Sequence, residues 1–242
     1  ARNRESWLAV AVAAGGLIIA IALYPSIAGG EVLREEFAWL PDQGFSLVLR
    51  VDGLAWAFTM LVLAIGLLVV LYARYYMSPE DPVPRFFSFL LAFMGSMLGV
   101  VLSGNLVQLV VFWELTSLTS FLLIGYWHHR ADARRGARMA LTVTATGGLC
   151  LLAGVLVVGH IVGSYDLDAV LAAGDRIRGH ELYEAALALI ALGALTKSAQ
   201  FPFHFWLPHA MAAPTPVSSY LHSATMVKAG VFLLVRLWPA LS

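Results

Sequence analysis

The chain has 242 residues, 60% apolar and only 12% charged, and its formal charges cancel. A water-soluble fold of this size cannot hide that much apolar surface, so lipid is the solvent for most of it. Neutrality and scattered arginines, with no basic stripe, exclude a nucleic-acid partner, and the single cysteine, Cys150, excludes an internal disulfide.

Apolar runs of about 20 residues, enough to cross roughly 30 Å of hydrocarbon, recur along the chain. They predict an all-α polytopic membrane protein with about seven transmembrane helices forming one transmembrane domain over 1–242: 7–28, 53–73, 86–104, 106–127, 139–161, 184–211 and 216–238. Arg2 and Arg4 precede the first run without a small-residue cleavage site, so a signal peptide is not expected. In the polar stretch 29–52, FSLVLRVD alternates apolar and polar residues and predicts a short surface strand or hairpin. Gly104 and Asn105 predict a tight turn between the third and fourth runs. Gly95 with Gly99, and Gly159 with Gly163, have the GxxxG spacing that marks close helix contacts. Cys150 reads as a small packing residue in the fifth run. The stretch 162–182, with Asp166, Asp168, Asp175, Arg176 and Arg178, reads as a surface helix or loop. The sixth run should be discontinuous, because Pro202 lacks an N–H and clashes with the preceding turn, breaking the helix near Ser198 to His204. The opening at Ala1 and the close at Ser242 directly after an apolar run lead us to expect a piece of a longer or processed polypeptide.

With seven crossings, one membrane side collects Arg2, Arg4, Arg74, Arg85, Arg130, Arg134, Arg135 and Arg138, against Arg34, Arg50, Arg176, Arg178 and Arg236 on the other. Cytoplasmic loops hold the excess of positive charge, so the residue-1 end is expected in the cytoplasm.

Every arginine can be placed in a loop or near a helix end, whereas both lysines lie within apolar runs. Arginine keeps its proton, but a desolvated lysine can release one. Placing such a charge at mid-bilayer costs at least about 2.5 kcal/mol, which makes function the default reading. Glu114 lies too deep in LVQLVVFWELTSLTSFLLIGYW to snorkel out, and shares a helical face with Ser117 and Phe121. Its alternative role is a fixed ion pair between helices. Lys197 coincides with the expected break, and irregular backbone at membrane depth lines wet cavities or ion sites; the alternative for Pro202 is a simple kink. On a continuous helix His204 would lie on the Lys197 face as an accessory group. Lys228 lies six residues after His222, about 9 Å of rise and off the same face, so a water or local bulge would have to link them. His222, which titrates near neutrality when unperturbed, is a candidate relay; its alternative is a neutral histidine hydrogen-bonded to a neighbouring helix. The spacing of His204, His209 and His222 matches no usual ligand set, so neither a metal nor a cofactor is expected.

FWELTSLTSFLLIGYW (112–127), GALTKSAQFPFHFWLPHAMAAPTPVSSYLHSATMVKAG (193–230) and FMGSMLGVVLSGNL (93–106) together resemble the antiporter-like proton-channel family. It comprises the large subunits of Mrp-type multisubunit sodium/proton antiporters and the membrane-arm pumps of respiratory complex I. The chain is most similar to A-type Mrp subunits, with Lys228 after HSATMV and the phrase LTSFLLIGYW. The resemblance implies that Glu114 is the family's intramembrane glutamate, Lys197 the lysine of its first broken helix, His222 the following histidine and Lys228 the additional A-type lysine. It implies that Glu114 and Lys197 form a pair whose opening and closing tunes proton affinity. It also implies a second, inverted bundle beyond this chain, an N-terminal half-channel role for this one, and an acidic residue where His209 stands here.

The implied protein is one subunit of a sodium, or other monovalent cation, antiporter in a bacterial inner membrane. Its partners would be other membrane subunits, protons, the cation and membrane lipids. It would be no enzyme. The rivals are a complex I pump subunit, an intramembrane metal or haem enzyme, and a structural scaffold.

Overall fold

A computed structural model describes residues 2–40, 45–78 and 80–242. The chain opens with α1 (Arg2–Ala22) and the short α2 (Tyr24–Ala28). An antiparallel hairpin of β1 (Leu33–Leu40) and β2 (Phe45–Val51) follows, its register running from Leu33 opposite Val51 to Leu40 opposite Phe45. The hairpin predicted within 29–52 is present, and the 41–44 segment joining its strands lies outside the described residues. Next come α3 (Gly53–Tyr76), α4 (Val83–Leu102), α5 (Leu106–Ile124) and the long α6 (Ala131–Val162). The helix starts follow local chemistry. Asp52 caps α3 by accepting from the Ala55 N–H, and Asn105 caps α5 by accepting from Val107 and Gln108, which makes Gly104–Asn105 the expected turn. The 162–182 stretch forms α7 (Leu167–Ala172), capped by Asp166, and α8 (Gly174–Arg178).

The sixth apolar run is broken as predicted. It divides into α9 (Tyr183–Lys197), a 3-10 turn (Phe203–Phe205) and α10 (Trp206–Ala210), with Ala199 between them at a φ of 50°. The last run, expected as a continuous helix, holds a second break. There α11 (Thr215–Ser218) passes into a π turn (Ser219–Ala224), Thr225 leaves helical geometry, and α12 (Met226–Leu241) resumes. The Thr225 hydroxyl donates to the Tyr220 carbonyl, taking up a backbone acceptor that the break leaves free.

Among the described residues six helices are long and apolar enough to cross a membrane, the last of them spanning Thr215–Leu241. The seventh expected crossing is the broken run, whose longest piece, α9, has 15 residues. That piece falls short of roughly 30 Å at about 1.5 Å per residue.

In the bundle α3 packs on α4, α4 on α5, α5 on α6, α6 on α9 and α9 on α12; the π turn and α12 then return to α3 and α4, closing a ring. α1 lies outside it against α3 and α4. Phe93, Trp113, Trp206, Tyr220 and Phe232 are buried within, while Leu8, Ile18, Leu68 and Leu149 are exposed on the outside, the distribution that a lipid solvent requires.

Of the predicted glycine pairs only Gly99, on α4, meets a neighbouring helix, α5. A methyl at Gly95 would meet open space, Gly99 packs on the Phe112 ring, Gly159 packs on the Tyr165 ring, and Gly163 is a left-handed C-cap. Further close approaches around the buried lysine fall at Gly147–Gly148 of α6 and Gly230 of α12. The Thr196 hydroxyl lies against Gly147, Glu114 Oε1 against Gly148, and Ser198 Oγ with the Ala194 carbonyl against Gly230.

Candidate functional site

The site is assembled where α9 ends. Lys197, the last residue of α9, is fully buried and reaches across to α5, where its Nζ donates to the Trp113 carbonyl at 3.0 Å and to Ser117 Oγ at 2.6 Å. The ammonium also lies 5.2 Å from the Trp113 ring centroid, within cation–π range. An ammonium has three N–H donors, and these two oxygens take two of them. Among the described residues no carboxylate lies in ion-pair contact with Lys197.

The broken backbone is fixed by its own polar groups. Ser198 Oγ donates to the Val227 carbonyl of α12 at 2.6 Å, and Trp206 Nε1 donates back to the Thr196 carbonyl at 3.0 Å. The first bond ties the end of α9 to the start of α12; the second folds α10 back under α9. Tyr220 donates from its hydroxyl to the Val62 carbonyl at 2.9 Å and so anchors the π turn on α3.

Glu114 is half-buried on α5, one turn before Ser117, and its Oε1 is enclosed without a hydrogen-bond partner. It faces Gly148 and a cleft of about 520 Å³ between α5 and α6 whose walls include Val111, Leu118, Leu141 and Leu152. Glu114 and Lys197 make neither an ion pair nor a hydrogen bond with each other. The two groups that the resemblance implies as a pair are not in contact in this geometry, and the lysine is held by the α5 backbone and hydroxyl.

His222 lies in the π turn, largely enclosed, its ring 6.1 Å from that of Trp206, and neither ring nitrogen has a partner in hydrogen-bond geometry. The end of the π turn and the break at Thr225 lie between His222 and Lys228, where the sequence called for either a water or a local bulge. Lys228 itself is exposed on this chain rather than enclosed by it, and His204 is also exposed, stacked on Phe201 with centroids 6.0 Å apart. The structure thus brings Lys197 to the α5 turn that carries Glu114 and sets His222 beside α10, while Lys228 and His204 point outward. His209 is exposed, with Nδ1 3.0 Å from the Phe205 carbonyl.

Sequence reasoning missed Trp113, Ser198 and the Gly147–Gly148 pair. TGG inside an apolar run and a serine directly after an intramembrane lysine were the available signals.

At the membrane end where α3 begins and α12 finishes, the charges are arranged differently. Arg236, 6% exposed, grips both carboxylate oxygens of Asp52; Arg50, 7% exposed, bonds Asp52 at 2.5 Å and Asp168 at 2.8 Å. Arg34 then bonds Asp168 at 3.0 Å and Asp166 at 2.5 Å. Burial pushes the Asp52 carboxyl upward, but hydrogen bonds from Arg236, the Ala55 N–H and Arg50 outweigh it and hold the group well below the usual carboxylate range.

Comparison with known proteins places this architecture. Residues 103–242, more than half of the chain, match the family described as "NADH:quinone oxidoreductase/Mrp antiporter, TM", and residues 39–87 match "NADH-Ubiquinone oxidoreductase (complex I), chain 5 N-terminus". A Rhizobium meliloti (strain 1021) protein, described as a probable K(+)/H(+) antiporter A/B subunit, is 67% identical over 100% of this chain and 24% of its own length. The solved Mrp complex from Dietzia sp. DQ12-45-1b contains a chain that is 38% identical, with a TM-score of 0.89, over 100% of this chain and 26% of that one. The archaeal membrane-bound sulfane sulfur reductase shares the fold, with a TM-score of 0.84 at 23% identity over 100% of this chain and 38% of that one. The chain spans about a quarter of the length of the curated relatives it matches. With the family model matched over more than half of its length, this integral membrane chain belongs to the NADH:quinone oxidoreductase/Mrp antiporter transmembrane family.

Proposed function

We propose that this chain forms the first proton half-channel of an A-type subunit in a heteromeric monovalent cation/proton antiporter. The observation that carries this reading is the Lys197 ammonium, fully buried at a helix break and held by one carbonyl and one hydroxyl with no carboxylate in contact among the described residues. A buried charge so incompletely compensated keeps its charged and neutral forms close in energy, the condition for taking up and releasing a proton. Glu114, one turn away with a bare oxygen, supplies the negative charge that can approach or retreat, and the two titrate as a unit.

A proton is taken up near the broken helix from the side with the larger arginine count, which is cytoplasmic in this reading. It resides on Lys197 and passes by way of His222 to Lys228. Lys228, exposed here, hands it toward the part of the longer relatives that this chain does not cover. The membrane potential contributes about 2.3 kcal/mol per charge per 100 mV over the full span, enough to bias such hops. The family resemblance puts sodium first as the exchanged ion; the name of the Rhizobium meliloti relative supports potassium. The partners are the other subunits of an Mrp-type complex in the bacterial plasma membrane.

The test is transport by everted vesicles carrying the full complex with Lys197→Ala, normalised to assembled protein. Cation-driven proton flux should fall by about a hundredfold, the lower range for loss of a positioned proton-transfer group. Unchanged flux would remove the proposal.

A further inference from the structure

At the end of the bundle opposite the Arg–Asp network, the start of α4, the end of α5 and the start of α6 enclose a cavity of about 370 Å³ that the proton path does not use. Phe89, Phe121, Leu122 and Ala137 form its apolar walls, Arg85, Arg134 and Arg138 supply its cations, and none of its lining residues is acidic. The nearby acids are engaged elsewhere. Asp81 accepts from Trp127 Nε1 and the Ser78 N–H, both at 3.1 Å, and Asp132 pairs with Arg130.

Among the described residues these cations have no anion of their own. Arg134 donates only to the His128 and His129 carbonyls, Arg85 donates from Nη2 to the Tyr126 carbonyl at 3.3 Å, and Arg138 has neither a hydrogen bond nor an ion pair. Two donors are also left bare: the buried Arg85 Nε, and the hydroxyl of Tyr126, a residue 2% exposed that lines the cavity. Buried donors without acceptors are costly, so a site with several of them beside unpaired guanidinium groups calls for an anion with multiple oxygens.

We propose that this cavity binds the headgroup of an anionic phospholipid. The phosphate takes Arg85 Nε, Arg138 and the Tyr126 hydroxyl, and the first acyl methylenes cover Phe89, Phe121 and Leu122. Free phosphate would satisfy the same donors but leave the apolar wall wet, and the site lies at the ends of membrane-crossing helices, where headgroups are the abundant anions.

Binding of phosphatidylglycerol to the detergent-solubilised, assembled complex, titrated by native mass spectrometry, tests this. Arg85→Gln/Arg138→Gln should weaken binding by about thirtyfold, and Arg138→Gln alone, which changes an exposed unpaired side chain, by about fivefold. The single variant decides the matter if the double variant does not assemble. Arg135→Gln, an exposed arginine outside the cavity, should bind as the wild type does, and neither phosphatidylcholine nor inorganic phosphate should compete. Equal phosphatidylglycerol binding by Arg138→Gln and wild type, equal competition by inorganic phosphate, or exclusion of the lipid by a neighbouring protein seated in the cavity overturns the proposal.

Discussion

At one end of the bundle Arg34, Arg50 and Arg236 and the carboxylates of Asp52, Asp166 and Asp168 satisfy one another, whereas in the middle Lys197 touches no carboxylate and Glu114 Oε1 touches no donor among the described residues. The first group ties the β-hairpin, the start of α3, the α7 cap and the end of α12 together through charges that have no reason to change state. The second is smaller and incompletely paired, which is the condition the proposed proton relay needs. Pairing therefore separates charges that hold the fold from the two that the proposed relay uses.

This contrast can be broken at either end. Asp52→Ala removes a helix cap and two arginine partners, and should lower stability by about 3 kcal/mol, read as a fall in the thermal midpoint of the purified full-length protein. Because the folded Asp52 carboxyl titrates below its unfolded value, its contribution is fully present above about pH 4 and is lost as pH falls through the folded value. Wild type should accordingly lose this increment only in acid, and Asp52→Ala should lack that loss. A constant difference between the two proteins down to about pH 2 would mean that the carboxylate charge is not what matters. At the working site, Gly148→Ala drives a methyl into Glu114 Oε1 and the edge of Trp113, an overpacking expected to cost about 2 kcal/mol. An unchanged melting midpoint would show that Glu114 is free to move away from α6. Ser117→Ala takes one of the two oxygens from the buried Lys197 and should reduce transport by about fivefold and lower the melting midpoint, since a buried donor left without its acceptor costs about 1–3 kcal/mol; unchanged transport would show that this oxygen does not tune the lysine.

What the sequence made legible follows from what each residue costs in lipid. Glu114 and Lys197 stood out because a charge far from a helix end has no route to water, and Pro202 announced the break because its ring cannot continue a helix. FSLVLRVD predicted the hairpin through simple alternation, and Gly104–Asn105 predicted the turn. The π turn at Ser219–Ala224 left no comparable mark, since it needs no proline and is sustained by a hydroxyl bond from Thr225 that spacing does not predict. GxxxG held only at Gly99, which meets Phe112 of α5; Gly95 faces open space and Gly159 packs on Tyr165 just beyond its own helix, because spacing alone does not say which side of a helix meets a neighbour. The outward direction of Lys228 and the separation of Glu114 from Lys197 were also illegible, because both depend on helix rotation set by packing at Gly147, Gly148 and Gly230.

The proposed transport requires Lys197 to give up its proton, not merely to carry a charge. Lys197→Arg keeps the positive charge in a group that does not deprotonate under working conditions. In proteoliposomes holding the full complex, normalised for assembly, Lys197→Arg should abolish cation-driven proton flux although the complex assembles; flux at the wild-type rate would rule out Lys197 as the proton carrier.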